Sequence, residues 1–437
     1  MLNATKSLFR PLKGSFLNYT GKLGEAKTTK PRIVILGCGW GSYAFLKKLK
    51  THDYEVTVIS PRNHFLFTPL LASTSVGTLE FRSIAEPIRN TIKENFNYLQ
   101  AACTEINPTT NTISCVSTLH KKPFEVQYDK LIIGVGATNN TFGIPGVEKY
   151  AHFLKELDQA RTIRKKIIEC FEFASLPDCS VQERERLLSF VVVGGGPTGV
   201  EFAAELNDFF LEDLTRFFPN APVNEVKITL LEASGKILSA FDEKLVKKAL
   251  LNFKTSGVNV QTHSGVKDVS NERVLLNDGT EIPYGLLVWS TGNKPIQLIN
   301  ESKLEKDKHG RLLTDGYLRV KSHPNIFAFG DCGQIEGTPL PATAAVAQQQ
   351  GLYLAKEFNK DPSEVLSPFK FHFLGMLVNI GRHNSLFQTK VIDFSGFFAF
   401  LSWRSVYLTR LGSIRAKFQV PFDWTRTLLF GRDISQF

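Results

Sequence analysis

Four consecutive apolar β-formers at 33–36 (IVIL) break into the glycine-rich run GCGWGS at 37–42 and then into a helical apolar pattern beginning YAFL at 43–46. A continuous apolar run bounded by glycines predicts a strand buried on both faces, and the pattern after it predicts a helix. The same order recurs at FVVVGGGPTGVEFAAEL, residues 190–206, where the strand at 190–193 meets a turn carrying Gly194, Gly196 and Gly199 and an amphipathic run at 200–210 follows. A third and a fourth run, YDKLIIGVGATNNTFGIPGV at 128–147 and LLVWSTGNKP at 286–295, repeat a strand-then-glycine-turn design, the latter with Gly292 in its turn. The alternation of strands with helical patterns predicts an α/β chain of two Rossmann-like dinucleotide-binding domains, one inserted in the other.

A strand-loop-helix turn of this kind lets the backbone approach a pyrophosphate, whose charge faces the free N–H groups of the helix start. In the first turn Gly37 and Gly39 fill the first two positions and Ser42 the third, a small residue that still permits close helix–strand packing. One such turn fits any α/β domain; two in one chain imply two dinucleotides, one held and one exchanged. The second strand of the first unit ends at TVIS, with Ser60 where an acidic residue usually holds a ribose. In the second unit KITLL runs into Glu232, a carboxylate suited to a ribose diol and repelled by a 2′-phosphate, which favours NADH over NADPH; Lys236 nearby counts against this, and a plain surface carboxylate is the alternative. The strand IFAFGDCGQ, 326–334, ends at Asp331 ahead of a helix that opens near Pro341. An aspartate there suits a ribityl hydroxyl, or else caps a helix.

Length and composition add limits. At 437 residues, 43% hydrophobic and 22% charged, the chain is ordinary globular material for two to four domains. Its six cysteines form no Cys-x-x-Cys or other close pair, so neither a zinc site nor a redox dithiol after the first turn is supported; no calcium loop of the Asp-x-Asp-x-Asp-Gly type occurs, and no metal is expected. The net charge of +10 comes with no compact basic cluster of the kind that points to nucleic acid. Residues 1–24 contain no acid but carry Lys6, Arg10, Lys13 and Lys22 among apolar and hydroxyl residues, which fits a mitochondrial presequence or a plain basic tail. Near the other end Phe394, Phe397, Phe398, Phe400, Leu401, Trp403, Tyr407, Leu408 and Leu411 crowd around Arg404 and Arg410, a composition that suits a helix lying in a membrane interface and equally a dimer contact or core helix. No run reaches the roughly 18 to 20 apolar residues that span a bilayer.

The first turn, the stretch SPRNHFLFTPLLASTSVGTLEFRSIAEPIR, the GATNNTFGIPGV and GGGPTGVEFAAEL turns, AFGDCG and the terminal FDWTRTLLFGRDISQF together resemble the type II (alternative, non-proton-pumping) NADH:quinone oxidoreductases, over about 32–437. The resemblance implies FAD-dependent oxidation of NADH, two electrons passing to a ubiquinone-type membrane quinone, and a peripheral place on the mitochondrial inner membrane. It implies a targeting segment at 1–30, an FAD-binding domain at 31–155 resumed at 299–360, an NADH-binding domain at 156–298, and a membrane-associating and dimer region at 361–437. Gly37, Gly39, Ser42, Ser60, Thr68, Pro69 and Asp331 then correspond to the FAD site, and Gly194, Gly196, Gly199, Glu232 and Gly292 to the NADH site. Glu201 corresponds to a catalytic carboxylate beside the nicotinamide and flavin. On the helix after the Gly-Asp turn the family's Ala-Gln-Val-Ala-x-Gln stands here as AAVAQQ, so Ala345 replaces the first quinone-bordering Gln and Gln349 keeps the second. Alternatives to this reading are a soluble NADH-dependent flavoprotein reductase of another acceptor and a nucleotide-bound redox sensor without turnover.

Overall fold

The computed structural model describes residues 30–91, 96–218, 225–361, 363–365 and 367–435, so the basic leader lies outside the described residues. The strand Arg32–Leu36 sits in an eight-stranded sheet, paired in parallel with Glu55–Ile59 on one side and Lys130–Ile133 on the other. Phe96–Leu99 extends the parallel part beyond Glu55–Ile59, and His323–Ala328 extends it beyond Lys130–Ile133. Ile33, Val34, Ile35 and Leu36 are all buried, as a parallel strand covered on both faces requires.

Between Lys130–Ile133 and His323–Ala328 the chain builds a second sheet of five parallel strands, in the order His152–Phe153, Leu286–Trp289, Ser189–Val193, Lys227–Leu231 and Val258–Gln261. One nucleotide fold is therefore interrupted by another. The second sheet takes up the chain at His152, a few residues before the boundary at 155 expected from the sequence, because His152 and Phe153 pair with Val288 and Trp289. The two glycine-turn returns meet where the chain crosses between the sheets: Ala137–Asn139 pairs antiparallel with Asn293–Pro295, and the indole of Trp289 donates to the Asn140 carbonyl at 3.0 Å.

The C-terminal part is a three-stranded antiparallel sheet, Met376–Gly381, Asn384–Gln388 and Asp393–Gly396, followed by the helices Phe397–Arg410 and Ile414–Phe430. Ser413 caps the second helix by accepting from the Ala416 N–H, and Gly412 between the helices accepts from the Tyr43 hydroxyl at 3.0 Å and the Lys47 amine at 2.7 Å. Asp423 accepts from the Ser83 hydroxyl at 2.6 Å, while Arg432 pairs with Asp213 and Glu212, each at 2.7 Å. The tail is thus fastened to both nucleotide units. That attachment overturns part of the lipid-facing reading: Phe400 and Trp403 are buried, with their rings stacked 6.1 Å apart. The exposed large apolar residues are Phe397, Phe398 and Leu401 on the first helix and Ile414, Phe418, Phe422, Leu428, Leu429 and Phe430 on the second, where Ile414, Phe418, Phe422 and Leu429 share one side. Among the described residues no helix is long and apolar enough to cross a membrane.

Candidate functional site

Each glycine turn has the geometry of a cradle. Gly37 has φ +91°, and a methyl group on it would lie 2.5 Å from the Gly134 carbonyl oxygen; Gly194 has φ +116° and would meet the Thr291 Cβ at 2.8 Å. Only glycine fits both conditions. By contrast, a methyl on Gly39 or on Gly196 would meet no atom within 4 Å. These two glycines cap the helices Trp40–Lys48 and Pro197–Phe209, and neither helix has a side-chain cap, so the first N–H groups are left for a ligand. The third positions serve packing. Ser42 is fully buried, with its hydroxyl 2.4 Å from where a Gly134 side chain would begin, and a methyl on Gly199 would sit 2.0 Å from the Gly194 carbonyl.

The first turn and the start of the helix after the second, Pro197 and Thr198, border one cleft of about 770 Å³, while Gly194, Gly196, Gly199 and Glu232 lie outside its lining. Its walls include Gly37, Gly39, Ser60, Thr68, Pro69 and Asp331 from the first unit, and Glu201 and Gly292 from the second. Thr68 is fixed by the Trp40 indole, which donates to its hydroxyl at 3.0 Å. Ser60 is buried; its hydroxyl lies 3.2 Å from the Cys38 thiol and accepts from the Arg62 N–H at 3.3 Å. Asp331 does not cap the helix Ala344–Asn359, because Thr343 accepts from the Val346 N–H there. Burial raises the Asp331 carboxyl above the usual aspartate range, opposed by the charges of Lys155 and Arg311. Glu232 accepts from the Gly195 N–H at 2.8 Å and from the Ser234 N–H at 2.7 Å, which holds it against the second turn and leaves little room for a plain surface role. The Lys236 amine is occupied by the Phe241 carbonyl at 3.0 Å.

Glu201 is the carboxylate with the most altered environment on this wall. It accepts from the Asn379 N–H at 3.1 Å and the Trp403 indole at 3.4 Å, and burial, assisted by the charge of Glu205, pushes it up to about 8. A carboxyl tuned in this way holds its proton at neutral pH and can give it up in a reaction. Leu377 and Tyr407, both from the C-terminal part, complete the wall near it. Burial raises the Tyr407 phenol well above its ordinary value.

Ala345 and Gln349 do not line this cleft. The helix Ala344–Asn359 turns Ala344 and Ala347 toward it. Gln349 is engaged with a neighbouring segment, donating to the His372 carbonyl at 2.9 Å and accepting from the His372 N–H at 3.0 Å. Leu377 and Asn379 carry no signal in the sequence, and Tyr407 and Trp403 stand out there only as members of the aromatic tail, since nothing local connects the tail to Glu201.

Two glycine turns of this geometry, a carboxylate held against the second and a buried acid on the cleft wall are the features of a two-dinucleotide flavoprotein oxidoreductase. Comparison with known proteins narrows the class. Residues 31–351 match the pyridine nucleotide-disulphide oxidoreductase family and residues 373–433 the NDH2 C-terminal domain. A probable NADH dehydrogenase of Dictyostelium discoideum is 62% identical over 93% of this chain and 91% of its own length. An internal alternative NAD(P)H-ubiquinone oxidoreductase, mitochondrial, of Arabidopsis thaliana is 40% identical over 96% of this chain and 88% of its own. The solved NDH2 of Plasmodium falciparum in complex with NADH superimposes with a TM-score of 0.89 at 30% identity, over 93% of this chain and all of that one. The chain belongs to the type II NADH dehydrogenases.

Proposed function

We propose that this protein oxidises NADH and passes two electrons through a bound FAD to a ubiquinone-type membrane quinone, without proton pumping. The observation that carries the reading is that the Phe397–Arg410 helix contributes Tyr407 to the cleft wall while exposing Phe397 and Phe398 outside, so the acceptor end of the cleft and the apolar surface share one element. The name of the Arabidopsis relative, which specifies ubiquinone and mitochondria, supports the acceptor and a mitochondrial place, and the apolar surface of the tail supports a peripheral one on the inner membrane.

The open space at Gly39 and Gly196 and the uncapped helix starts behind them fit two pyrophosphates. Gly37, Gly39, Ser60, Thr68, Pro69 and Asp331 would hold FAD, with Ser42 seating the helix; Gly194, Gly196, Gly199, Gly292 and Glu232 would hold NADH. When bound, FAD supplies the hydride acceptance and electron return that no side chain offers. The chain's own part is to align the two ligands, exclude water and hold a proton on Glu201 beside them. A quinone would approach past Leu377 and Tyr407 rather than past Ala345 and Gln349. Steady-state NADH oxidation with and without a short-chain ubiquinone tests the reading; oxidation equally fast with a ferredoxin or a disulfide favours a soluble reductase, and no turnover with any acceptor favours a sensor.

Nucleotide choice rests on Glu232. Glu232→Gln removes the charge that repels a 2′-phosphate, so the preference for NADH over NADPH should narrow by about tenfold, or about 1.4 kcal/mol. The ratio of kcat/KM for the two nucleotides measures it; an unchanged ratio removes Glu232 from the ribose site.

Membrane attachment rests on the outer stripe. Phe418, Phe422 and Leu429 are each more than two-thirds exposed. Burying a large apolar side chain contributes about 1.5–3 kcal/mol, so replacing all three by Ser should release the protein from anionic liposomes while leaving its melting temperature nearly unchanged. Unaltered co-sedimentation contradicts a lipid-facing stripe. Conversion of a dimer to a monomer in the variant assigns the stripe to a homodimer contact instead.

A further inference from the structure

The overall reaction consumes a proton that the nucleotide cannot supply. NADH + H⁺ + quinone → NAD⁺ + quinol balances only if one proton per turnover comes from solvent, because the hydride carries two electrons and a single proton. FAD and NADH, when bound, would occupy the cleft that Glu201 lines, so a route for protons from another side would serve Glu201 while they are in place.

The helix that begins at the second glycine turn continues away from the cleft with two more carboxylates on the same side, Glu205 one turn after Glu201 and Asp208 three residues later, both buried. Side chains at this spacing are neighbours along the helix. Asn379 spans the first pair: its N–H donates to Glu201 at 3.1 Å and its side-chain amide to Glu205 at 3.1 Å. Glu205 also accepts from the Ser73 hydroxyl at 2.8 Å and the Thr78 hydroxyl at 2.9 Å. Glu205 and Asp208 in turn line a separate polar cavity of about 290 Å³, with Asp213, His383, Arg404 and Arg432. At about 30 Å³ per water the cavity holds several, and its rim includes the exposed Glu212 and Leu428, so it opens to solvent.

Two further features mark this end of the helix. Directly after Phe209 the α-helix gives way to a π-turn at Phe210–Leu214, a local widening frequently found at functional positions. Opposite it, Gly381, Arg382 and His383 all have positive φ, which aims the Arg382 N–H at Asp208 at 2.8 Å and brings His383 to the cavity. Arg382 and His383 are the two loop residues between the paired Gly381 and Asn384, and positive φ at both is the conformation of a two-residue hairpin turn, so the turn itself points the Arg382 N–H at Asp208.

We propose that Glu205 and Asp208, with the water-accessible cavity they line, form a proton route from solvent to Glu201 that is separate from the nucleotide cleft. Protons enter at the cavity, pass to Asp208 and are relayed beside Glu205 to the Glu201 carboxylate, which returns to its protonated form after each turnover. The titration of the two end groups suits this direction: burial and the neighbouring Glu205 charge push Asp208 up to about 7 and Glu201 up to about 8, so each takes and releases protons near neutrality. The charged and titratable groups around Asp208 are Glu205, Glu212, Asp213 and Arg216 along its own chain segment, His383 from the hairpin, Arg404 from the penultimate helix, and Arg432 beside the cavity.

The proposal rests on the quinone-reducing reading, and its test separates the two. In the flavoprotein without substrates at pH 6, the protonated Glu201 carboxyl gives an infrared carbonyl band that is identified by its loss in Glu201→Gln and that shifts when solvent deuterium replaces the proton. Asp208→Asn preserves an acceptor for the Arg382 N–H, so the hairpin remains in place. Its deuterium exchange at Glu201 should slow by about a hundredfold, the low end of what a positioned proton donor contributes. The quinone-dependent reoxidation step should slow with it and acquire a larger solvent isotope effect. In Asp208→Ala, formate admitted to the cavity should restore both. Exchange at the wild-type rate in Asp208→Asn, or the absence of formate rescue in a folded Asp208→Ala, overturns the route. If no quinone is reduced at all, the acceptor assignment fails while the exchange measurement still decides the route.

Discussion

Gly39→Val protein is expected to fold normally and to be colourless. A side chain at Gly39 meets no protein atom within 4 Å, so the substitution adds nothing to the core and costs the fold little. It projects instead into the cleft, in front of the uncapped start of the helix Trp40–Lys48, where a pyrophosphate has to lie. Displacing that group costs at least about 4 kcal/mol, or roughly a thousandfold in affinity. Flavin content by absorbance after purification, with circular dichroism alongside, is the measurement. A folded yellow variant with stoichiometric FAD contradicts the assignment of the first turn. Gly37→Ala is the contrasting case, because its methyl would strike the Gly134 carbonyl and strain a φ of +91°, so it should lose stability as well as flavin.

The second large effect is expected at Glu201. Glu201→Gln keeps the size of the side chain and an acceptor for the Asn379 N–H, but cannot release a proton. Turnover with a quinone should fall by about 10²-fold or more, while NADH-driven reduction of an artificial one-electron acceptor, which needs no proton from the protein, is retained. The pH dependence has a defined sign. The carboxyl is pushed up to about 8, so it is protonated at pH 7 and ionises as the pH rises through about 8. The wild-type quinone step should therefore decline on the alkaline side, and Glu201→Gln should lack that limb. Equal losses with both acceptors would place Glu201 in nucleotide binding rather than in proton handling.

How far the sequence alone discloses this arrangement depends on how local each feature is. The glycine turns are legible because strand, turn and helix signals lie within about a dozen residues and the glycines answer a steric need that any such turn shares. The third positions are equally readable as packing contacts, and Ser42 and Gly199 both serve that purpose. The tail is different. Nine large apolar residues at 394–411 suit a membrane-facing helix, yet which of its sides meets lipid depends on partners far away in the chain. Phe400 and Trp403 turn inward because the tail packs on the helix Pro197–Phe209; the Trp403 indole reaches Glu201 across 202 positions and Asn379 reaches it across 178. For the same reason nothing in the local sequence marks Glu205 and Asp208 as buried; Ser73 and Thr78 of the first unit and Asn379 and Arg382 of the tail close over them. The resemblance-based placement of Ala345 and Gln349 at the acceptor has no counterpart in the lining of this cleft, because rotation about the helix puts Ala344 and Ala347 on its wall.

The central claim is that one cleft collects electrons from NADH and delivers them to a quinone. Anaerobic sequential-mixing stopped flow tests it most directly: the flavin absorbance should bleach on mixing with NADH and return on mixing with a short-chain ubiquinone, one quinol appearing for each NADH consumed. Bleaching without recovery on addition of the quinone, or no bleaching by NADH, would contradict it.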